Sequence, residues 1–347
     1  MISDFWLVLG YDCNNRCRHC YASPSGFLSE WMPLSFGKGV MKTLKNEGAK
    51  TCLLLGGEPT LYPNLIDLVS FGAKVGLEMV VISNGRFFKD EVFTRRLFSV
   101  GLNRVIVSLV GADEKTHNRI TRSNGFVEMA TGISSCADNG RVNALITISK
   151  ENSYQVVDTI KLAYSLGAGQ VVLNCAIPIA GRDIIVAGQS LNPAEVASVI
   201  DRVFTVAKRD NFSFRVNATF PLCLLGRETL KEMLSLGWLS VGCHMYRGEG
   251  VVFDPTGNVL PCTHFSEFPF ITKAKGSSEE FLFQDGFSKV WENPLSEAAI
   301  FRSALWKYPA RKCAGCEYWG GCVGGCPLFW LFFEPEEYID REEVSSL

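Results

Sequence analysis

The chain has 347 residues, of which 47% are hydrophobic and 20% are charged, with a formal net charge of −2. At about 150 residues per domain, this length allows two domains. The near-neutral charge argues against a basic surface for the phosphates of nucleic acids. No apolar run reaches the roughly 18 residues that span a bilayer, and the N-terminus lacks the basic region of a signal peptide. We therefore expect a cytoplasmic protein with no nucleic-acid or membrane partner.

Short apolar runs alternate with longer amphipathic stretches from the N-terminus to about residue 210. The predicted strands are 5–11, 51–55, 78–82, 104–109, 143–148 and 170–174, and the predicted helices are 35–48, 64–76, 90–101, 126–140, 153–167 and one that opens at Asn192 and Pro193. Six strand–helix units in series predict parallel strands with right-handed crossovers. The pattern leaves an open sheet and a partial barrel as alternatives, and both place ligand sites at the carboxyl ends of the strands.

Three cysteines follow the first predicted strand. Cys13, Cys17 and Cys20 have the spacing C-x3-C-x2-C, which allows three thiolates of one loop to meet at one metal centre. A four-iron cluster normally takes four thiolates, so three would leave one iron open to a small molecule. Zinc is the alternative because His19 lies in the same loop, although no second cysteine pair follows nearby. Thirteen cysteines without a signal peptide predict metal binding rather than disulfides.

Two further motifs end the next two strands. Gly56-Gly57-Glu58-Pro59 follows the second strand, and Ser83-Asn84-Gly85 follows the third. Because the strands are predicted to be parallel, both motifs and the cysteine loop lie on the same rim. The sequence therefore predicts a ligand site at this rim.

Together these motifs resemble those of the radical S-adenosylmethionine (radical SAM) superfamily. The resemblance implies a partial (β/α)6 TIM-type barrel and a [4Fe-4S] cluster bound by Cys13, Cys17 and Cys20. It implies that Gly56, Gly57, Glu58 and Pro59 bind SAM together with Ser83 and Asn84. It also implies reductive cleavage of SAM to a 5′-deoxyadenosyl radical, which takes a hydrogen atom from the substrate. The family usually has an aromatic residue where this chain has His19.

Three more residues are candidates on weaker grounds. Ser108 ends the fourth strand where the family often contacts SAM, although Val110 replaces the family's Asp. Arg122 lies in a stretch similar to one in peptide-modifying relatives and could bind the SAM carboxylate; a solvated arginine is the alternative. Cys175 ends the sixth strand, where its thiol could face the barrel interior and return a hydrogen atom to a substrate radical; a small packing residue is the alternative. Cys52 and Cys136 are interpreted as packing residues.

From about residue 216 the alternation stops and cysteines return. They are Cys223, Cys243, Cys262, Cys313, Cys316, Cys322 and Cys326. The last four read C-x2-C-x5-C-x3-C, for which a zinc ribbon is an alternative in isolation, and 257–262 reads G-x4-C. The combination resembles the SPASM extension, which carries up to two auxiliary iron–sulfur clusters. We therefore predict a barrel domain over 1–215 and a small Cys-rich α+β domain over 216–347.

The resemblance also implies how the C-terminal thiols are shared. Cys243, Cys262 and Cys326 would bind the first auxiliary cluster, with Cys223 as a candidate fourth ligand. Cys313, Cys316 and Cys322 would bind the second, for which relatives supply a further cysteine downstream. No cysteine follows Cys326. A carboxylate from 334–343, a water molecule, or loss of this cluster are the alternatives.

The SPASM resemblance implies an oxidoreductase that matures ribosomally made peptides or proteins by a cross-link or a side-chain oxidation. A reductant such as flavodoxin or ferredoxin would supply electrons. Cys13 comes early in the chain, so we expect any leader peptide to be bound elsewhere, for example by a separate protein. The alternatives are a radical SAM dehydrogenase or haem-pathway enzyme acting on a small molecule, and a non-enzymatic electron carrier. The stretches 183–189 and 273–280 are predicted to be flexible connections.

Overall fold

The computed structural model describes residues 2–22, 30–137, 140–178, 188–265, 268–269 and 287–340. The predicted connection 273–280 and most of 183–189 lie outside these residues. No helix within the described ranges is long and apolar enough to cross a membrane.

One ten-stranded sheet organises the molecule. Its strands are β1 (Asp4–Val8), β2 (Thr51–Leu55), β3 (Glu78–Ser83), β4 (Arg104–Ser108), β5 (Val142–Ile148), β6 (Gln170–Cys175), β7 (Arg215–Asn217), β8 (Leu239–Ser240), β9 (Gly250–Phe253) and β10 (Val259–Leu260). The order across the sheet is β10-β9-β1-β2-β3-β4-β5-β6-β7-β8. Strands β1 to β8 run parallel in chain order, β9 runs parallel beside β1, and β10 returns antiparallel to β9. The predicted α/β fold and the six predicted strands are confirmed.

Helices connect strands β1 to β9, and the last three described helices follow β10. They are α1 (Leu34–Asn46), α2 (Leu65–Lys74), α3 (Glu91–Ser99), α4 (Glu114–Thr121), α5 (Phe126–Ala137), α6 (Val156–Ser165), α7 (Pro193–Asp210), α8 (Arg227–Ser235), α9 (His244–Arg247), α10 (Phe287–Glu292), α11 (Glu297–Leu305) and α12 (Pro335–Ile339). Helix α7 begins with a capping box, in which the Asn192 side chain accepts from the Glu195 N–H and the Glu195 carboxylate accepts from the Asn192 N–H. The predicted helices are present. Helix α4, which Asp113 caps, is a short helix that the sequence analysis missed.

The two faces of the sheet have different roles. Alternate strand residues such as Phe5, Val105 and Leu173 belong to the large core between the sheet and the helices. Their neighbours on the strands point to the opposite side, which we call the inner face. At the β10-β9-β1-β2 end of the sheet the inner face is filled by a small apolar cluster of Val8, Leu55, Val252 and Leu260. On β4 to β6 its residues are partly buried, and on β7 they are exposed.

The sequence analysis expected the alternation of strands and helices to stop near residue 216. In the structure it continues beyond that residue. Strand β7, helix α8 and strand β8 add one further parallel strand–helix–strand step, and the hairpin of β9 and β10 joins the opposite edge beside β1. Strands of two or three residues carry no period that a sequence pattern can detect. The residues after 215 therefore extend the barrel sheet at both edges, and the 240–250 segment connects the two edges.

Candidate active site and cysteine clusters

The cysteine loop lies directly against the Gly56-Gly57-Glu58 turn. The Gly57 N–H donates to the Gly10 carbonyl at 2.8 Å, and the Glu58 N–H donates to the Asp12 carbonyl at 2.8 Å. A Cβ atom on Gly57 would lie 2.2 Å from the Asp12 oxygen, so only glycine permits this approach. The two motifs are therefore one structural unit, with the end of β2 fixing where the loop begins.

The other side of the loop is bound to the end of α4. The Arg16 and Arg18 N–H groups donate to the carbonyls of Thr121 and Ile120 at 2.9 and 3.0 Å. Arg122 caps this helix with a φ of 50°, in the left-handed region that side chains rarely adopt. Its side chain is exposed. Its role in binding SAM stays a prediction.

Arg86 also holds the loop, and the sequence analysis missed it. Its Nη1 donates to the Asn14 carbonyl at 2.7 Å and to the Asn15 Oδ1 at 3.0 Å, and its Nε donates to the Glu128 carboxylate at 2.6 Å. Lys89 pairs with the same carboxylate. Arg86 directly follows the Ser83-Asn84-Gly85 motif, and this position could have identified it from the sequence. Glu128 lies 42 residues further along the chain, and no sequence motif marks it.

The three thiols of the loop lie close enough to affect one another. Burial and the neighbouring thiols of Cys20 and Cys13 raise the pKa of Cys17. Burial raises the pKa of Cys13 to about 11, although the Asn15 N–H donates to its sulfur at 3.3 Å and opposes that shift. N–H donors of this kind stabilise a thiolate ligand.

The ligand geometry bears on the choice between zinc and an iron–sulfur cluster. Within the described ranges, no three His, Cys, Asp or Glu side chains are arranged to hold a single metal ion. A four-iron cluster is larger than a single ion and bridges thiolates that stand farther apart. Three adjacent thiols in a loop fixed by backbone hydrogen bonds fit such a cluster.

Glu58 is buried behind the rim, with 1% of its surface exposed. Its Oε1 accepts from the Thr60 N–H at 3.0 Å, from the Thr60 hydroxyl at 2.7 Å and from the Ser83 hydroxyl at 2.8 Å, and its Oε2 accepts from the Asn84 N–H at 2.8 Å. Burial raises the pKa of the Glu58 carboxyl, and the four donors oppose that shift. The carboxyl therefore ties the turn after β2 to the turn after β3.

Ser83 and Asn84 are engaged in the same rim. The Ser83 oxygen also accepts from the Gly85 N–H at 3.0 Å, and the Asn84 Nδ2 donates to the Asn14 Oδ1 at 2.5 Å. Asn84 thereby connects the third rim motif to the cysteine loop. The structure brings together the predicted SAM-binding residues that follow β2 and β3. The side chains of Glu58 and Ser83 are hydrogen-bonded to each other. Ser108, at the end of β4, belongs to the inner face and is partly buried.

Cys175 lies on the helix-covered face of β6. It shares that face with Val171 and Leu173 in the large core and is 5% exposed. Burial raises the pKa of its thiol to about 12. The expectation that Cys175 faces the barrel interior is therefore not met, because the alternation along β6 directs Val172 and Asn174 to the inner face instead. This position favours the packing interpretation over hydrogen donation.

The C-terminal cysteines form two groups. Burial and the nearby thiols of Cys243 and Cys262 raise the pKa of Cys326. This first group lies on the side of the cysteine loop, because Tyr21 interacts electrostatically with both Cys20 and Cys262. The Tyr21 hydroxyl donates to the Gly56 carbonyl at 3.2 Å, and its ring centroid is 5.7 Å from that of His264. Tyr21 therefore lies near both sets of thiols.

The second group contains Cys313, Cys316, Cys322 and also Cys223. Burial and the thiols of Cys322, Cys313 and Cys316 raise the pKa of Cys223 to about 12. All four line one cavity of about 540 Å³. The expectation that Cys223 joins Cys243, Cys262 and Cys326 is therefore not supported by its position, since the loop after β7 carries it to the other group.

Comparison with known proteins identifies a domain family in the N-terminal part of the chain. Residues 7–163 match the Radical SAM superfamily. This span holds the cysteine loop and both rim motifs, and it is a radical SAM domain. The cofactors of that family are a [4Fe-4S] cluster and SAM, in agreement with the sequence analysis.

Two relatives match over most of the chain. One is the AdoMet-dependent heme synthase of Methanosarcina barkeri (strain Fusaro / DSM 804), 25% identical over 328 residues that cover 90% of this chain and 87% of that protein. The other is the mycofactocin maturase MftC of Mycobacterium ulcerans (strain Agy99), 26% identical over 322 residues that cover 92% and 81%. The C-terminal cysteines are consistent with the SPASM extension of such maturases.

Among solved structures, the fold is similar to that of Streptococcus suis SuiB. The structure of SuiB bound to the precursor peptide SuiA has a TM-score of 0.75 at 15% identity and covers 100% of this chain and 76% of that one. A second SuiB structure, bound to S-adenosylmethionine, has a TM-score of 0.74. The likeness confirms the predicted fold class.

Proposed function

We propose that the protein is a radical SAM peptide maturase, which takes a hydrogen atom from a side chain of a ribosomally made peptide or protein to give a cross-link or an oxidation. The observation that carries the proposal is the chemistry of the inner face beside the SAM rim.

Uncharged polar side chains lie on the inner face at the end, or one residue before the end, of four neighbouring strands. They are Ser108 on β4, Thr147 on β5, Asn174 on β6 and Asn217 on β7. Thr147 pairs with Asn174 in the sheet register, and the Asn217 Nδ2 donates to the Asn174 Oδ1 at 2.6 Å. Hydroxyl and amide groups can both donate and accept, as the backbone of a peptide substrate requires.

A substrate with several carboxylates would need a different lining. Haem precursors carry propionate groups, for which arginine is the preferred partner. At the described inner-face positions in the carboxyl-terminal halves of β4 to β8, none of the strand residues is lysine or arginine. The lining therefore suits an uncharged peptide segment better than a polycarboxylate.

The residues of the rim would position the cofactors. With a cluster on Cys13, Cys17 and Cys20 and with SAM at the rim, the cofactors would supply a 5′-deoxyadenosyl radical on reduction. Arg86, Asn84 and Gly57 hold the cysteine loop in register with β2 and β3. The inner face would orient the substrate side chain and limit the access of water.

The relatives add support of a different kind. MftC is named as a maturase, and SuiB is described with a bound precursor peptide. In this proposal the C-terminal clusters accept or deliver an electron, a flavodoxin or ferredoxin reduces the enzyme, and a separate protein can bind a leader peptide.

A haem-pathway function is the second candidate, because the relative named as a heme synthase matches as much of the chain as the maturase does. The test is an anaerobic assay with SAM, a reductant and either of two substrates: a short peptide encoded beside the gene, synthesised with deuterated side chains, or an iron tetrapyrrole with propionate groups. Deuterium in 5′-deoxyadenosine together with a mass loss of the peptide supports the maturase. Turnover of the tetrapyrrole alone contradicts it. SAM binding that depends on Glu58 excludes a simple electron carrier.

A further inference from the structure

We propose that Cys223 is the fourth thiolate ligand of the auxiliary cluster held by Cys313, Cys316 and Cys322. The second cluster would then be complete, although no cysteine follows Cys326. This assignment does not depend on the identity of the substrate, and it reverses the expectation from sequence that this cluster lacks a thiolate.

The first observation is the shared cavity. Cys223, Cys313, Cys316 and Cys322 all line a space of about 540 Å³, and Pro221, Leu222, Tyr318 and Trp319 are among its other walls. Cysteines of the other two sets are absent from the lining. Four thiols around one cavity match the number of protein ligands that a four-iron cluster takes.

The second observation is how the backbone brings Cys223 there. It lies in a 3-10 turn, Leu222–Leu224, a few residues after β7. The Cys326 N–H donates to the Thr219 carbonyl at 2.6 Å, and the Leu222 N–H donates to the Cys322 sulfur at 3.4 Å. The loop after β7 is therefore hydrogen-bonded to the C-terminal cysteine segment at two points just before Cys223. An N–H donor to a ligand sulfur is typical of iron–sulfur sites.

The third observation removes the carboxylate alternative within the described part of the tail. Asp340 approaches this group, but its carboxylate accepts from the N–H groups of Arg311 and Lys312 at 3.3 and 3.1 Å. It therefore caps the turn that carries Cys313. Ile339 is the residue of the described 334–340 segment that lines the cavity, and its side chain has no ligand atom.

The fourth observation is the distribution of all thirteen cysteines. Three lie in the N-terminal loop, and Cys52, Cys136 and Cys175 are buried in the large core. The other seven divide into this group of four and the group of Cys243, Cys262 and Cys326. In this assignment the first auxiliary cluster is the one with three thiolates and an open coordination position. It lies on the side of Tyr21 and the cysteine loop.

The test measures which cluster protects Cys223 from alkylation. In the anaerobically reconstituted full-length protein, one variant carries Cys313→Ala and Cys316→Ala, and a matched variant carries Cys243→Ala and Cys262→Ala. Each is treated with iodoacetamide without denaturant, and labelling at each cysteine is measured by peptide mass spectrometry. Wild-type protein stripped of iron shows which thiols react once they are released.

We expect Cys223 to be labelled in the Cys313/Cys316 variant and in the stripped protein, and to stay protected in the Cys243/Cys262 variant. In the first variant, Cys243 must remain protected, which shows that the other cluster is intact. Cys136 must remain unlabelled throughout, which reports an intact core. Labelling of Cys223 in the Cys243/Cys262 variant, with protection in the Cys313/Cys316 variant, would assign it to the first cluster. Equal labelling in both variants and the wild type, or no labelling in the stripped protein, would also overturn the proposal.

Discussion

The Glu58 carboxylate and the Ser83 hydroxyl lie 2.8 Å apart and join the ends of two neighbouring strands behind the rim that carries the motifs. Glu58 ends the turn after β2, and Ser83 is the last residue of β3. Because the carboxyl is buried and accepts four hydrogen bonds, its main task in this structure is to hold the rim together. The two turns after β2 and β3 are therefore held in a fixed relative position.

Replacing Glu58 with Gln should loosen this rim. The amide can accept through only one of its two terminal atoms, so one buried donor loses its partner, which costs about 1–3 kcal/mol of stability. We expect a lower free energy of unfolding and weaker SAM binding, measured by urea denaturation and equilibrium dialysis. Glu91→Gln, on the exposed face of α3, is the control. SAM binding equal to wild type would contradict the positioning role of Glu58.

Replacing Gly57 with Ala should displace the cysteine loop. The added Cβ would lie 2.2 Å from the Asp12 oxygen and 2.4 Å from the Tyr11 oxygen, and such overpacking costs about 1–3 kcal/mol or more. We expect the N-terminal cluster to be lost or labile while the C-terminal clusters remain. Iron content and electron paramagnetic resonance measure both. Gly188→Ala, where nothing lies within 4 Å of the added atom, should behave as wild type. A fully stable N-terminal cluster in Gly57→Ala would show that this contact is not needed.

Arg86→Ala should make the cysteine loop more mobile. It removes the hydrogen bonds to Asn14 and Asn15 and the ion pair with Glu128, and hydrogen bonds of charged groups contribute about 1.5–3 kcal/mol each. We expect faster amide hydrogen exchange over residues 13–20 and slower SAM cleavage. Arg95→Ala, which removes an exposed pair 3.9 Å long, is the matched control. Unchanged exchange in the loop would assign its order to the other contacts.

Cys175→Ala should leave the ratio of 5′-deoxyadenosine to product unchanged. The thiol is in the core between the sheet and the helices and cannot reach a substrate on the inner face. The loss of the buried sulfur should lower the melting temperature by a few degrees, as a cost of about 1 kcal/mol implies. The ratio is measured by liquid chromatography of both species. If 5′-deoxyadenosine accumulates without product, Cys175 donates hydrogen despite its position.

The sequence was informative where a period or a motif is local. The strand 51–55 agrees residue for residue with β2, and Asn192 with Pro193 marks the start of α7. The rim motifs could be placed together because parallel strands end on one edge. By contrast, the three-residue β7 and two-residue β8 have no measurable period. Their absence from the prediction put the domain boundary at residue 215, where the sheet continues.

Long-range partners could not be predicted for a different reason. Arg86 pairs with Glu128, which lies 42 positions further along the chain, and Cys223 lies near Cys322, 99 positions further along. No sequence motif near Arg86 or Cys223 marks its partner. A cysteine spacing identifies ligands that share a loop. It cannot identify a ligand that a separate loop supplies, because that depends on where the strand before the loop lies in the sheet.

The most direct test of the account is the iron and sulfide content after anaerobic reconstitution, measured on the wild type and on the variant with Cys13, Cys17 and Cys20 all replaced by Ala. Three four-iron clusters predict about twelve irons in the wild type and about eight in the variant, and the variant should form no 5′-deoxyadenosine. A variant without iron would contradict the C-terminal clusters. Unchanged iron, or persistent 5′-deoxyadenosine, would contradict the assignment of the catalytic cluster to the N-terminal loop.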